Sequence, residues 1–443
     1  MSDAAGGVCT ELRGCGHLTM IKRVRGTQDI LPARYTDKVD GQVERWHVAE
    51  RAAREAFRRY GFDEIRTPII EKTELFERGV GTETDVNKEM YTFEDRDGEK
   101  ISLRPESTAS VVRAYIEHGC YNQPGLAKFF YIGPQFRRER PQKGRYRQFW
   151  QIGAEVLGQS DDPAIEVEVI EMLEWFLGQL GIEDHVLLVN SIGDENCRPQ
   201  YIERLKQAIA EVLPDLCGSC QQRYETNPLR VLDCKVESCQ PYLERLPTIT
   251  SSLCEACSIH FSEFKRLLSD RGIEFGIAPR LVRGLDYYMR TAFEIIGSRL
   301  GAQNTIVGGG RYDGLSQLIG GPPAKGFGFA LGLERLVMSM PEGAVDLKSG
   351  VPVLYIAYIG QAARDYSFGL ARRLREAGIS VVVDLENRKL KKQLAIADNL
   401  GASYTLIVGE DELQKGAFVL RNMRTGEQSE LPESELADRL ARP

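Results

Sequence analysis

Between Lys128 and Glu155 the chain reads KFFYIGPQFRRERPQKGRYRQFWQIGAE. From Arg137 to Arg147 it carries five arginines and one lysine against a single glutamate, a local charge of +5 in a chain of formal net charge −7. The planar arginine fork suits bidentate recognition of phosphate or carboxylate, which a plain solvated charge run does not require. An apolar, strand-like run at Phe129–Ile132 precedes the basic segment, with Gly133-Pro134 reading as a turn. Pro141 and Gly144 make the segment itself a loop, and a second apolar run, Phe149–Ile152, returns from it. On the return, Gln151 and Glu155 are four residues apart and so share a strand face. The pattern is strand, basic loop, strand.

Other segments carry chemistry of their own. Gly308-Gly309-Gly310 and Gly326-Phe327-Gly328 have the composition of phosphate cradles, yet match neither the dinucleotide fingerprint nor the P-loop. Alone they read as tight turns; beside Arg311 and Arg335 they gain a phosphate-binding reading. In Arg283-Gly284-Leu285-Asp286-Tyr287-Tyr288, taken as a strand, the adjacent tyrosines point to opposite faces, one lining a pocket while the other packs. Seven of the ten cysteines lie within 194–271. Cys217-x2-Cys220 and Cys254-x2-Cys257 resemble a tetrathiolate zinc site, with Cys234 and Cys239 between them. A set of reduced thiols is the alternative.

These residues need elements to hold them. Apolar spacing predicts a helix over 37–60 that stops at Gly61, and a strand follows at 62–70. Residues 89–104 read as a hairpin turning at Asp97-Gly98, and a helix is expected over 107–118. Pro163 opens another helix, which Gly181 ends. Neighbouring strands joined by hairpins favour an antiparallel sheet with helices packed on it, an α+β core. From 194 to 271 the texture turns helical and cysteine-rich, then strands resume at Ile273. The expected organisation is a discontinuous core (20–193 and 272–340), a helical insertion (194–271), a linker (341–350) and a C-terminal domain (351–443). Strands and helices alternate in that last domain, which predicts an α/β fold with a parallel or mixed sheet.

Hydrophobic content of 42% and charged content of 27% are those of an ordinary globular protein. No apolar run nears the roughly 20 residues of a membrane helix. The acidic balance requires any nucleic-acid contact to come from local basic patches. Residues 1–19 have no apolar core and a single Arg, unlike a secretory signal or transit peptide. A disordered or non-native tail is expected there. The cysteine spacing is not that of an extracellular disulfide framework, so a reducing cytoplasm is the expected compartment.

Five ordered motifs carry a resemblance to class II aminoacyl-tRNA synthetases, and within them to the histidine–tRNA ligase family. FDEIRTPIIEKTELF (62–76) is similar to motif 1, the opening stretch to motif 2, and GFGFALGLERLVM (326–338) to motif 3. LVRGLDYYMRTAFE (281–294) and GGGRYDGL (308–315) resemble the two histidine-specific motifs, and KRVRGTQDILP (22–32) fits the family's start. The resemblance implies a class II catalytic core and a C-terminal anticodon-binding domain. It also implies ATP-dependent attachment of L-histidine to tRNA(His) through a histidyl-adenylate, and a homodimer paired through motif 1. By resemblance Arg137 bridges the α-phosphate and the amino-acid carboxylate. Arg283 sits on the α-phosphate, and Arg335 and Arg145 bind ATP, whose Mg²⁺ shields the outer phosphates. Glu155 and Tyr288 address the imidazole, Glu106, Thr108 and Gln151 position the α-amino group and its surroundings, Tyr312 closes the pocket, and Ser107, Arg137, Arg283 and Tyr287 complete the implied histidine-binding set. Ser107 stands where the family usually has Gly, and Trp150 where a His is common. Arg138, Arg140, Gln142 and Lys143 are the implied acceptor-stem contacts; Arg388, Lys389, Lys391 and Lys392 are the implied anticodon-side cluster. The regulatory subunit of ATP phosphoribosyltransferase, which shares this core, is the alternative. Its eroded motifs and missing C-terminal domain fit poorly. Synthetases for proline, threonine or glycine would lack the two histidine-specific motifs.

Overall fold

A computed structural model describes residues 20–81, 84–142, 144–300, 304–343 and 352–441. The 1–19 tail, Lys143 and most of the 341–350 linker lie outside these described residues. The chain divides into two compact units, within residues 1–345 and 346–443.

The first unit is built on strands β1 (Asp63–Glu64), β2 (Ile70–Lys72), β3 (Tyr91–Glu94), β4 (Lys100–Leu103), β5 (Ala127–Phe136), β6 (Gln148–Gly158), β7 (His185–Ser191), β8 (Gly276–Ile277), β9 (Met289–Gly297), β10 (Thr305–Arg311) and β11 (Lys325–Gly332). Eight of them form one sheet in the order β1-β5-β6-β11-β10-β9-β7-β8. Every pairing from β5 to β7 is antiparallel, and only the edge strands β1 and β8 pair in parallel. β2, β4 and β3 make a separate three-stranded sheet whose hairpin turns at Gly98, with φ of 80°.

Strand alternation gives the large sheet two unlike faces. Phe130, Ile152, Ala154 and Val156 face the helices Val43–Arg59 and Pro163–Gln179 in one apolar core, where Phe57 stacks on Phe130 at 4.3 Å. Tyr131, Gly133, Gln135, Gln151, Gly153 and Glu155 have the opposite parity and face the other way. The helix at 163 starts where its sequence requires: Asp162 Oδ1 accepts the Ala164 N–H at 2.9 Å, and Pro163 fills the first turn.

Three local expectations fail. Gly133-Pro134 is no turn but the continuation of β5, paired with Gln151 and Trp150. The strand tolerates Pro134 because the pairing alternates: Arg137 N–H donates to Arg147 O at 2.9 Å, which makes Pro134 and Trp150 a pair that exchanges no hydrogen bond. Trp150 N–H donates to the Glu334 carboxylate at 3.0 Å, and Pro134 O accepts from Arg104 Nε at 3.0 Å. Residues 62–70 do not form one strand, because β1 joins the large sheet and β2 the small one. Tyr287 and Tyr288 precede β9 in a turn, so strand alternation does not separate them.

In the insertion, helices Arg198–Val212 and Gly218–Thr226 and several single turns surround a small apolar cluster around Tyr201, Leu205, Val231 and Leu243. The last helix, Glu255–Asp270, packs Phe261, Phe264 and Leu268 into the core under the large sheet. The second unit has strands β12 (Leu354–Tyr358), β13 (Val381–Val383), β14 (Tyr404–Val408), β15 (Ala417–Asn422) and β16 (Gln428–Pro432) in the order β13-β12-β14-β15-β16. β13, β12 and β14 are parallel, and an antiparallel hairpin completes a mixed sheet.

Candidate active site

The polar face of the large sheet carries Glu155, which is fully buried. Thr108 Oγ1 donates to one carboxylate oxygen at 2.7 Å, and the Tyr312 hydroxyl donates to the other. Burial pushes this carboxyl up to about 8 against those two donors, and the nearby charge of Glu106 adds to the rise. Thr108 begins the helix Thr108–Glu117, and Glu106 receives the backbone N–H groups of Thr108 and Ala109 at 2.6 and 3.0 Å. Burial raises Glu106 as well, while those N–H groups and the Arg137 charge hold it down. Ser107 Oγ accepts from Gln135 Nε2 at 2.7 Å.

Aromatic rings wall this carboxylate. The Tyr287 and Tyr288 rings lie 4.7 Å apart, and both meet Tyr312, at 5.6 and 6.4 Å. The two adjacent tyrosines therefore share one pocket, contrary to the strand reading. The hydroxyls of Tyr131 and Tyr287 and the amide oxygen of Gln151 are buried without a well-aligned hydrogen-bond partner. Buried polar atoms in this condition suit a polar ligand that would satisfy them. Trp150, with the opposite parity to Gln151, meets Trp46 edge-on at 5.9 Å.

Three arginines border the pocket. Arg137 Nε donates to Pro105 O at 2.9 Å, and its guanidinium lies 5.2 Å from the Phe149 ring centre. Arg283 pairs with Glu294 at 2.6 Å and lies 5.5 Å from the Tyr288 ring centre. Burial disfavours the Arg283 charge, but Tyr288 and Glu294 outweigh it and hold the pKa above the usual arginine value. Arg335 donates to Gly144 O at 3.2 Å and Thr305 O at 3.1 Å. Burial, then the positive charges of Arg145 and Arg137, lower its pKa. Like charges gathered this way favour a polyanion between them.

The glycine runs are neither turns nor phosphate cradles. They are the facing strands β10 and β11, paired Gly309 to Phe329 and Gly310 to Gly328. A Cβ on Gly308 would collide with the Arg283 guanidinium, on Gly326 with the Tyr312 ring, and on Gly328 with the Glu155 carboxylate. A Cβ on Gly310 would come to 3.0 Å from the Tyr288 ring. These glycines clear space for the pocket's side chains. Arg311 likewise leaves the phosphate reading. It is buried and pairs with Glu166 at 2.5 Å and Asp313 at 3.0 Å, and His260 lies 3.3 Å from Glu166.

Beyond the pocket, Arg138, Arg140, Gln142 and Arg145 are exposed on the β5–β6 loop, where Arg145 pairs with Glu139 at 3.3 Å. Lys143 lies outside the described residues. In the second unit Lys389, Lys391 and Lys392 are exposed at the start of the helix Leu390–Asn399, but Arg388 is tied to Asp384 at 2.6 Å and to Glu386.

The cysteines correct the spacing argument. Cys217 and Cys220 gather with Cys234 and Cys239, whereas Cys254 and Cys257 gather with Cys197 and Asp194. The first pair flanks the start of the helix Gly218–Thr226 within the insertion's own cluster. The second flanks the start of Glu255–Asp270, which packs on the sheet side. Sequence reasoning also passed over Tyr131, Gln135 and Glu294. Tyr131 was open to strand alternation within the first apolar run; Gln135 was hidden by the expected turn at Gly133-Pro134, and Glu294 by the packing that alone pairs it with Arg283.

A sequence model described as histidyl-tRNA synthetase matches residues 34–336, and one described as an anticodon binding domain matches residues 354–442. The chain is 54% identical over 423 residues to a histidine–tRNA ligase of Solibacter usitatus, covering 95% of this chain and 99% of that one. It is 49% identical over 429 residues to a histidine–tRNA ligase of Koribacter versatilis, covering 94% and 95%. The crystal structure of apo S. aureus histidyl-tRNA synthetase matches with a TM-score of 0.78 at 36% identity, covering 96% of this chain and 100% of that chain.

Proposed function

The chain belongs to the histidyl-tRNA synthetase family, and we infer that it joins histidine to tRNA(His) in two ATP-dependent steps at the pocket around Glu155. One observation carries the pocket assignment. Glu155, Thr108 and Tyr312 form a hydrogen-bonded set beside the unpartnered polar atoms of Tyr131, Tyr287 and Gln151, with three arginines on the border. An imidazole needs polar partners at both ring nitrogens, and a pocket built this way rejects apolar analogues by about 10⁴–10⁵.

In the first step a histidine carboxylate oxygen attacks the α-phosphorus of ATP, and pyrophosphate leaves. Negative charge grows on the non-bridging oxygens, so cations fixed in advance are the main catalytic lever. Arg137 holds the carboxylate and α-phosphate together, Arg283 takes the α-phosphate from the tyrosine side, and Arg335 with Arg145 holds the outer phosphates. Mg²⁺ arrives with the ATP and shields its β- and γ-phosphates. Glu155 and Tyr288 orient the imidazole, with Tyr287 and Tyr312 enclosing it. Glu106, Ser107, Thr108 and Gln151 hold the amino end. In the second step a ribose hydroxyl at the tRNA 3′ end attacks the acyl carbon and AMP leaves. Arg138, Arg140, Gln142 and Lys143 guide the acceptor stem, and Lys389, Lys391 and Lys392 with Arg388 meet the anticodon side.

We read the chain as a cytoplasmic homodimer. Ile69, Ile70 and Phe93 are exposed apolar residues at the small sheet that follows β1, where an interface would cover them. The eight cysteines among the described residues are all free, in keeping with a reducing compartment. No helix among the described residues is long and apolar enough to cross a membrane. The regulatory-subunit reading is the weaker one, since residues 354–442 match an anticodon-binding domain. ATP–pyrophosphate exchange screened against all the standard amino acids tests the assignment. Exchange should depend on histidine alone, and exchange supported by a different amino acid would overturn it.

A further inference from the structure

We propose that the insertion holds two metal ions of the zinc class at sites that the CxxC spacing does not reveal. The first is a tetrathiolate of Cys217, Cys220, Cys234 and Cys239. The second, carried by separate observations, is a mixed site of Cys197, Cys254, Cys257 and Asp194.

In each group every candidate ligand atom lies within 4.8 Å of the others. Tetrahedral zinc with Zn–S near 2.3 Å sets its sulfurs about 3.8 Å apart, and the Cys217 and Cys234 sulfurs are 3.8 Å apart. Backbone amides already point at this set. Cys217 N–H donates to Cys239 Sγ at 3.3 Å, and Val236 N–H to Cys234 Sγ at 3.4 Å. Such donors stabilise thiolates and fix their orientation around a metal. Three of the four cysteines are buried and none is in a disulfide. Their surroundings are short 3-10 helices, Pro228–Asp233 and Glu237–Cys239, on a small apolar cluster. Cores of this size commonly depend on a metal or a covalent cross-link.

The second group contains a buried carboxylate aimed at sulfur. Asp194 Oδ1 lies 3.6 Å from Cys197 Sγ and 3.7 Å from Cys254 Sγ. Asp194 N–H donates to Cys197 Sγ at 3.4 Å, and Asn196 N–H to Asp194 Oδ1 at 3.1 Å. Three thiolates and a carboxylate on a divalent ion leave two negative charges in excess. Arg290 Nη2 stands 3.6 Å from Asp194 Oδ2 and offsets part of that excess. The ion would tie the point where the insertion leaves the sheet to the point where it returns. From there Arg198, next to Cys197, donates to Tyr288 O at 2.6 Å, a direct link to the tyrosine pocket.

Elemental analysis of the full chain, purified without chelator and loaded with zinc, tests both sites. About two zinc ions per chain are expected. Cys220→Ser with Cys234→Ser should lower this to about one, as should Cys197→Ser with Cys254→Ser. Cobalt substitution of the second variant should keep the stronger sulfur-to-metal charge-transfer band of a tetrathiolate. Should a variant not fold, mercurial titration of the wild-type thiols, with released zinc read by a chromogenic chelator, gives the stoichiometry. No bound metal, or disulfides within the two groups, would overturn the proposal. So would a single ion lost from both double variants, which would restore the shared CxxC site. A wild-type stoichiometry of about one, with that ion kept by the Cys197→Ser/Cys254→Ser variant, would overturn the mixed site.

Discussion

Gly308 tests whether the glycine-rich strand acts by housing Arg283. Its ideal Cβ would lie 2.6 Å from Arg283 Nη1 and 2.7 Å from Cζ. Ordinary contact requires about 3.5 Å, so in Gly308→Ala the guanidinium must retreat by roughly 1 Å. That retreat breaks its 2.6 Å pair with Glu294 and its place by the Tyr288 ring. The backbone tolerates the change, because Gly308 is paired within β10 and is not among the glycines with positive φ. A misplacement of about 1 Å costs on the order of 10²-fold in rate. Loss of one fixed donor to developing charge costs about 10²–10³-fold, or roughly 3–4 kcal/mol of barrier. Gly308→Ala should therefore lower kcat for ATP–pyrophosphate exchange by about 10²-fold, with little change in histidine Kd by calorimetry or in Tm. Arg283→Ala should match it, and the double variant should be no worse than Arg283→Ala alone, because both changes remove one interaction. Near-normal exchange in Gly308→Ala, or additive losses in the double variant, would refute the reasoning.

The buried carboxyls predict a pH dependence. With its pKa raised to about 8, Glu155 keeps a proton in the folded state that the unfolded chain releases above its ordinary carboxylate pKa. Its contribution to stability is full below that ordinary value and is lost as pH rises towards 8, at up to about 1.4 kcal/mol per pH unit. Denaturant titrations at several pH values should show Glu155→Gln with a shallower decline than the parent. Equal slopes would contradict the burial argument, since Glu334, also raised to about 8, contributes equally to both proteins. Arg140→Ala should spare pyrophosphate exchange and slow transfer to tRNA; equal losses in both steps would assign the loop to ATP. Replacing Lys389, Lys391 and Lys392 together by alanine should weaken tRNA binding and make log K against log salt shallower by about 2, at ~0.7 per single-stranded phosphate contact. An unchanged slope would leave those lysines as solvated surface.

Local rules account for much of what was legible. Asp97-Gly98 marked its hairpin, Pro163 and Gly181 bounded their helix, and the alternation of strands and helices marked the mixed sheet of the second unit. Period-two reasoning put Gln151 and Glu155 on one face and Trp150 on the other, and ordered motifs pointed to the family. Those signals live within a few residues of chain. Tertiary structure alone decided what fills the space around them. Gly308 and Gly328 read as flexible turns until the Arg283 guanidinium and the Glu155 carboxylate are seen occupying the room a Cβ would take. Pro134 reads as a break until the register with β6 places it opposite Trp150 in a pair that needs no Pro N–H. Arg311 reads as a phosphate ligand until Glu166, 145 residues away, is found beside it. The CxxC pairs read as one site until their helices carry them to different cores. Spacing along the chain limits which neighbours a residue can have locally, whereas packing selects the distant ones, and the pocket is made of distant ones.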